Sequence, residues 1–355
     1  MYKFLPVSIF SGLILGIFFL PACSETVHVN APPKDIWVVY GVLNPQEDYQ
    51  YLRIAKSFLP DDDAVEYAKN HDTGARGLEV TLSGEDHVYQ AVEIDSILKD
   101  TSEGDFGPVT NLYRVKTTGE KRLKEDGVYT LNITSPIDSS LKLTAYTRIP
   151  PRPKVTFPVT TINRGEKCLP VVKFEDSVIV YFRKSRGDIP SSAMRYELRV
   201  FLNYFENGIQ KSIHTKPTRL FYQDKGCNHI SDQALCYQFA KAQILNQLKA
   251  ILNNPDSRYS YDHTPLCGNP FTELPNSVEI QVTAVDTFLS KYIISNDPTR
   301  VNFNTIRREY TNIEGTADAV GVFGSIAYHD VAVGLSPCVE YQLGLNTTWG
   351  SQICD

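Results

Sequence analysis

The residues of this chain best suited to chemistry lie late in the sequence. Cys227, His229, Cys236, His263 and Cys267 make a soft sulfur and nitrogen set of the kind zinc prefers. Their spacings match no common zinc module, and thiols in an oxidising compartment pair with each other, so the same cysteines read as disulfides. Asp61, Asp62 and Asp63 offer oxygen ligands to calcium, but no glycine and distal Glu follow at EF-hand spacing. A solvated loop or a helix N-terminus accounts for them. His71, Asp72, Asp86 and His87 could assemble an acid–base pair, yet nothing in the sequence pairs them with a nucleophile. Tyr259, Tyr261 and Phe271 fall in a Pro-rich loop, where binding residues concentrate, and packing under that loop explains them as well. No Gly-x-Ser-x-Gly elbow, His-Glu-x-x-His helix, phosphate loop or dinucleotide fingerprint occurs. The sequence therefore assigns no catalytic residue, no metal and no cofactor.

The N-terminus says where such residues would work. Lys3 supplies a positive start, Phe4 to Leu20 is an apolar run broken only by small residues and Pro6, and Leu20-Pro21-Ala22-Cys23 ends it. This is the layout of a secretory signal over residues 1–22. Ala22 before Cys23, with Leu20 three residues before the cysteine, resembles the bacterial lipobox, in which Cys23 is acylated and becomes the mature N-terminus. A signal-anchor helix is the competing reading, but no cationic stop-transfer flank follows. Residues 23–33, with Pro32-Pro33, then form a flexible tether. About ten residues span at most ~35 Å, so a first domain works near the membrane and the second is the expected face for a ligand or partner. Ser24-Glu25 resembles the acidic tags that send lipoproteins of Bacteroidota-type bacteria to the outer surface. A formal charge of -6 and the lack of a Lys/Arg block argue against nucleic acid and against anionic lipid as partners.

With Cys23 lipidated, Cys168, Cys227, Cys236, Cys267, Cys338 and Cys354 remain, an even number with fifteen possible connectivities. Proximity favours Cys227–Cys236 and Cys338–Cys354, leaving Cys168–Cys267 by subtraction.

The elements that must position these residues are mainly strands. Tyr 20 and Phe 17 against Met 2 lean toward β-structure. Ile36–Leu43, Tyr49–Phe58, Leu78–Leu82, Val88–Ile94, Leu112–Thr117 and Leu141–Thr147 are expected strands between Gly, Asp and Ser punctuation, a spacing that suggests a sandwich. Leu123, Asp126-Gly127 and Tyr129 before Thr130–Ile133 match a tyrosine corner entering a late strand of an immunoglobulin-like or fibronectin-like sandwich. Pro150, Pro151 and Pro153 mark a boundary, because prolines so dense join neither helix nor ladder. The sequence thus predicts a sandwich over 34–150 and a second β-rich domain over 153–355. Within the second, Val178–Phe182, Tyr196–Phe205, Ser277–Thr283, Val320–Tyr328 and Val339–Leu345 are expected strands, and Glu206-Asn207-Gly208 is an expected hairpin turn. Ser231-Asp232 opens one long helix over about 232–253, and Val285–Ile294 suits a short one.

Asn312, Ile313 and Gly315, followed by Gly321, Phe323 and Gly324, form the most distinctive stretch outside the signal. Asn312 and Gly315 punctuate a turn, and two glycines flanking Phe323 mark a strand that bends or meets another backbone closely. The stretch resembles the hallmark of a domain-of-unknown-function family of Bacteroidota outer-membrane lipoproteins. The lipobox, Val38–Leu43, Gly127–Leu131 and the proline junction are similar too, so the resemblance spans nearly all of the mature chain. Thr316–Ala319 depart from the tight glycine turn of that pattern. The resemblance implies an accessory to a TonB-dependent receptor barrel, tethered by lipid to the outer membrane at its periplasmic face or at the cell surface, and carries over no functional residue. Binding or docking is the function expected. A surface hydrolase acting on glycan or peptide, and an adhesin or structural envelope protein, are the alternatives.

Overall fold

The computed structural model describes residues 36–57, 74–98, 109–158, 161–163, 166–168, 171–172, 177–183, 193–221, 234–252, 258–260, 267–268, 278–296, 310–335 and 337–345. The signal, Cys23 and the tether lie outside them, and no helix among the described residues is long and apolar enough to cross a membrane.

The fold is mainly β. Its first half holds β1 (Trp37–Leu43), β2 (Tyr49–Lys56), β3 (Glu79–Ser83), β4 (Val88–Gln90), β5 (Val92–Leu98), β6 (Val109–Lys116), β7 (Val128–Thr134) and β8 (Lys142–Arg148). One sheet contains β1-β2-β6-β5 and the other β8-β7-β3-β4. Alternation decides their faces: Val39, Leu52, Ile54 and Val115 from one sheet meet Val80, Leu82, Leu131, Ile133 and Leu143 from the other in a single core. The tyrosine corner is present. Leu123 and Tyr129 are buried, and the Tyr129 hydroxyl accepts the Lys124 N–H at 2.7 Å. The expected strand over 88–94 is two strands, because Ala91 donates its N–H to Val80 and the chain crosses there from one sheet to the other.

The second half holds β9 (Ala193–Glu206), β10 (Ile209–His214), β11 (Val278–Asp286) and β12 (Ala319–Leu335), with α1 (Lys241–Ile251), α2 (Thr287–Ser295) and α3 (Pro337–Gln342). Asn207 and Gly208 have φ of 51° and 81°, the left-handed pair that a two-residue hairpin turn requires. Leu198, Val200 and Leu202 of β9 and Ile280 and Val282 of β11 face a second core, shared with Val180, Phe182, Leu245, Leu248 and Val339.

Two expected elements are corrected. The helix over 232–253 starts only at Lys241, because Ala234–Ala240 pair in register with Ser177–Arg183 as a strand. Apolar residues three and four apart occur there too, but strand pairing overrides that spacing. In place of the closing strand at Val339–Leu345 stand α3, which Pro337 opens and which buries Val339, and a turn after it that buries Leu343.

β12 joins the halves. Residues 319–325 run parallel to β1, while 326–333 pair antiparallel with β11, so one sheet continues through both halves as β10-β9-β11-β12-β1-β2-β6-β5. Seventeen residues of strand reach ~56 Å. Where β1 turns away, the Gln46 amide replaces it: its Nε2 donates to the Tyr328 carbonyl at 2.7 Å and its Oε1 accepts the Tyr328 N–H at 2.8 Å. The first core is completed by Ile313 and Phe323, which the contiguous boundaries 34–150 and 153–355 had assigned to the second domain. The reason is the edge of β1, whose unpaired backbone groups β12 satisfies. The proline run does fall between β8 and the next strand, Lys154–Phe157.

Candidate functional site

Alternation that points Val39, Leu52, Ile54 and Val115 inward must point their neighbours outward. On β1 these are Val38, Tyr40 and Val42; on β2, Tyr49, Tyr51 and Arg53; on β6, Leu112, Arg114 and Lys116. Register sets them side by side: Tyr40 opposite Arg53, Tyr51 opposite Arg114, Tyr49 opposite Lys116, and Val92 of β5 beyond Arg114. Tyr40 is 37% exposed and Tyr51 48%. The Arg114 guanidinium lies over the Tyr49 ring at 4.9 Å, which holds a planar cation facing solvent. These nine outward positions contain three cations and no carboxylate.

Helix α2 walls one side of this face. The Tyr292 ring stands edge-on to Tyr40, centroids 5.9 Å apart, and its hydroxyl donates to the Tyr40 hydroxyl at 3.1 Å. What places α2 is a buried polar joint. Asp286, 1% exposed, caps the helix by accepting the Leu289 N–H at 2.8 Å, and its other oxygen accepts the Thr147 hydroxyl of β8 at 2.6 Å. The Ser325 hydroxyl lies 2.9 Å from that of Thr147 and donates to the Arg148 carbonyl at 3.0 Å. Burial pushes the Asp286 carboxyl up to about 6, with the Thr147 hydroxyl and the N–H groups of Leu289, Ser325 and Phe288 pulling the other way. Gly324 makes room: a Cβ there would lie 2.6 Å from Leu289 Cβ. Tyr146 and Phe288 pack edge to face at 5.0 Å across the same seam.

The distinctive C-terminal stretch serves this joint and the first core. The Asn312 amide clamps Phe323 from the side, donating to its carbonyl at 2.8 Å and accepting its N–H at 3.0 Å, and also donates to Tyr146. At Gly321, φ is 114° and a Cβ would sit 2.0 Å from the Val39 carbonyl oxygen; at Gly315 it would sit 2.0 Å from that of Lys142. Only glycine allows these backbones to meet. Ile313 and Phe323 are core residues.

The remaining sequence candidates are dispersed. Asp86 is ion-paired to Lys124, which holds its carboxyl below the usual range, and the His87 ring stands against Tyr89 at 6.1 Å. Both line a shallow recess beside Tyr129; His71 and Asp72 lie outside the described residues, as do Asp61, Asp62 and Asp63. Tyr259 packs on Tyr204 at 5.9 Å as a satellite of the second core, while Tyr261 and Phe271 are outside the description. Among the described residues no three His, Cys, Asp or Glu side chains gather as metal ligands. Backbone register sets Cys168 directly opposite Cys267. Cys236 and Cys338 are each disulfide-bonded, while Cys227, His229, His263 and Cys354 lie outside the described residues.

On β9 the cations share a carboxylate, Arg195 and Arg199 both on Glu197. The Tyr/Arg face of the first half has no such compensation, and sequence reasoning did not single it out. Its signal was visible in the Tyr49-x-Tyr51-x-Arg53 alternation; what was hidden is that the aromatic side of β2 faces solvent and Leu52 and Ile54 face the core. Comparison with protein-family models and with curated proteins finds no match to this chain.

Proposed function

We propose that this protein is a non-enzymatic lipoprotein of the outer membrane, tethered through Cys23, that docks on a TonB-dependent transporter barrel through the outward face of β1, β2 and β6. The observation that carries the docking reading is the exposed set of Tyr40, Tyr49 and Tyr51 with Arg53 and Arg114 on a rigid sheet. Tyrosine and arginine anchor protein interfaces because they bring large contact area and directed hydrogen bonds with few rotatable bonds to freeze per contact. A sheet face is already ordered before binding, so association loses little further entropy. The tether alone points to the second half for a ligand or partner; the exposed Tyr/Arg set moves the reading to the first half, which the tether keeps close to the membrane where a barrel sits. The lipoprotein family that the Asn312–Gly324 stretch resembles, and the acidic Ser24-Glu25, support an outer-membrane, surface-side location. Capture of the tagged full-length protein from its native membranes in mild detergent tests the reading. A barrel receptor recovered in stoichiometric amount is the expected result, and recovery of the protein alone overturns docking.

A further inference from the structure

The charges on this face go beyond docking to the chemistry of what docks. Five other cations are paired: Arg76 with Asp95, Arg122 with Asp48, Lys124 with Asp86, Arg148 with Asp126 and Arg152 with Glu125. Arg53, Arg114 and Lys116, on neighbouring strands of one face, have no ion-pair partner among the described residues. The whole chain carries 41 acidic against 35 basic side chains, so three cations on nine outward positions without a carboxylate are a local reversal of its charge. Arg114 moreover lies over the Tyr49 ring at 4.9 Å, and a guanidinium can take a carboxylate in a two-pronged fork.

We infer that the β1-β2-β6 face binds an acidic polypeptide segment of its partner, with Asp or Glu side chains on Arg53, Arg114 and Lys116 and apolar or aromatic side chains between Tyr40, Tyr49 and Tyr51. The inference rests on the docking reading above and specifies its partner. Complementary charge on a Tyr-rich floor gives register and on-rate, while ring burial gives residence time. A polypeptide is favoured over a carboxylated polysaccharide because arginines interleaved with tyrosines are the composition of protein interfaces.

The probe is fluorescent poly-L-glutamate, titrated against the full-length protein in detergent at low and high salt, with hyaluronate and poly-L-lysine alongside. Binding of poly-L-glutamate that weakens at least tenfold in Arg53→Glu/Arg114→Glu, and severalfold in Lys116→Glu, is expected. Lys116 is exposed at a strand end, so its variant answers the question even where the double variant folds poorly. Hyaluronate binding without poly-L-glutamate binding overturns the polypeptide assignment, and binding unchanged by the charge reversals overturns the site. The docking reading is separated by membrane capture. A partner lost in Tyr51→Ala but kept in the charge-reversed protein leaves docking standing and removes the acidic segment; a partner kept in both removes docking as well.

Discussion

The polar residues of the α2 joint and those of the β1-β2-β6 face are put to opposite uses within one sandwich. At the joint, Asp286, Thr147 and Ser325 are buried and satisfy one another within hydrogen-bond distance. On the face, Tyr40, Tyr51 and Arg53 lie among apolar neighbours but turn toward water. A buried polar group is costly unless paired, so a satisfied cluster signals architecture. An exposed aromatic and cationic set does nothing for the core, and its persistence in one rigid array signals contact with something else. The two are linked through α2, whose N-terminus the joint fixes and whose Tyr292 borders the face.

The architectural side of this contrast breaks most sharply at Gly321. Adding a Cβ 2.0 Å from the Val39 carbonyl at a φ of 114° forces β12 off β1, so Gly321→Ala is expected to destabilise by ~4 kcal/mol or more. Denaturant unfolding measures it, and a loss below ~1 kcal/mol would show that β12 does not splice the two cores as described.

The joint itself is tested by pH. The carboxyl of Asp286 moves from an ordinary 3.8 to about 6 in the folded state, so the native protein holds that proton more tightly than the unfolded chain. Its contribution is fully present below about 3.8 and is lost as pH rises through about 6, a difference of roughly 3 kcal/mol. Unfolding free energies at pH 4, 5.5 and 7 should therefore fall more steeply in the wild type than in Asp286→Asn. Parallel profiles would remove Asp286 from the pH response.

A smaller effect belongs to the tyrosine corner. Tyr129→Phe keeps the ring in the core but leaves the Lys124 N–H without its acceptor, an expected loss of about 1 kcal/mol by denaturant unfolding. No change would mean that water replaces the hydroxyl fully.

Much of this architecture was legible in the chain. The strands of the first half, the corner at Leu123 and Tyr129 and the Asn207-Gly208 turn follow from local chemistry, namely period-two alternation and residues that favour turns. What was not legible is non-local. Ala234–Ala240 carry helical spacing, and only their pairing with Ser177–Arg183 makes them a strand. Ile313 and Phe323 look like residues of a C-terminal domain until β12 is seen to close the edge of β1. The glycines of the Asn312–Gly324 stretch were legible as sites of close backbone approach, but the backbones they meet, Val39 and Lys142, are distant in sequence. The candidate site was half legible: alternation along β2 is plain, whereas which side faces water depends on the opposite sheet.

The most direct measurement takes Tyr51→Ala/Arg114→Ala in the full-length protein and reads unfolding and membrane-partner capture on the same preparation. Both side chains point away from the core, so unfolding should match the wild type within about 0.5 kcal/mol while capture falls at least tenfold. Capture at the wild-type level with the fold intact would contradict the assignment of this face as the working surface.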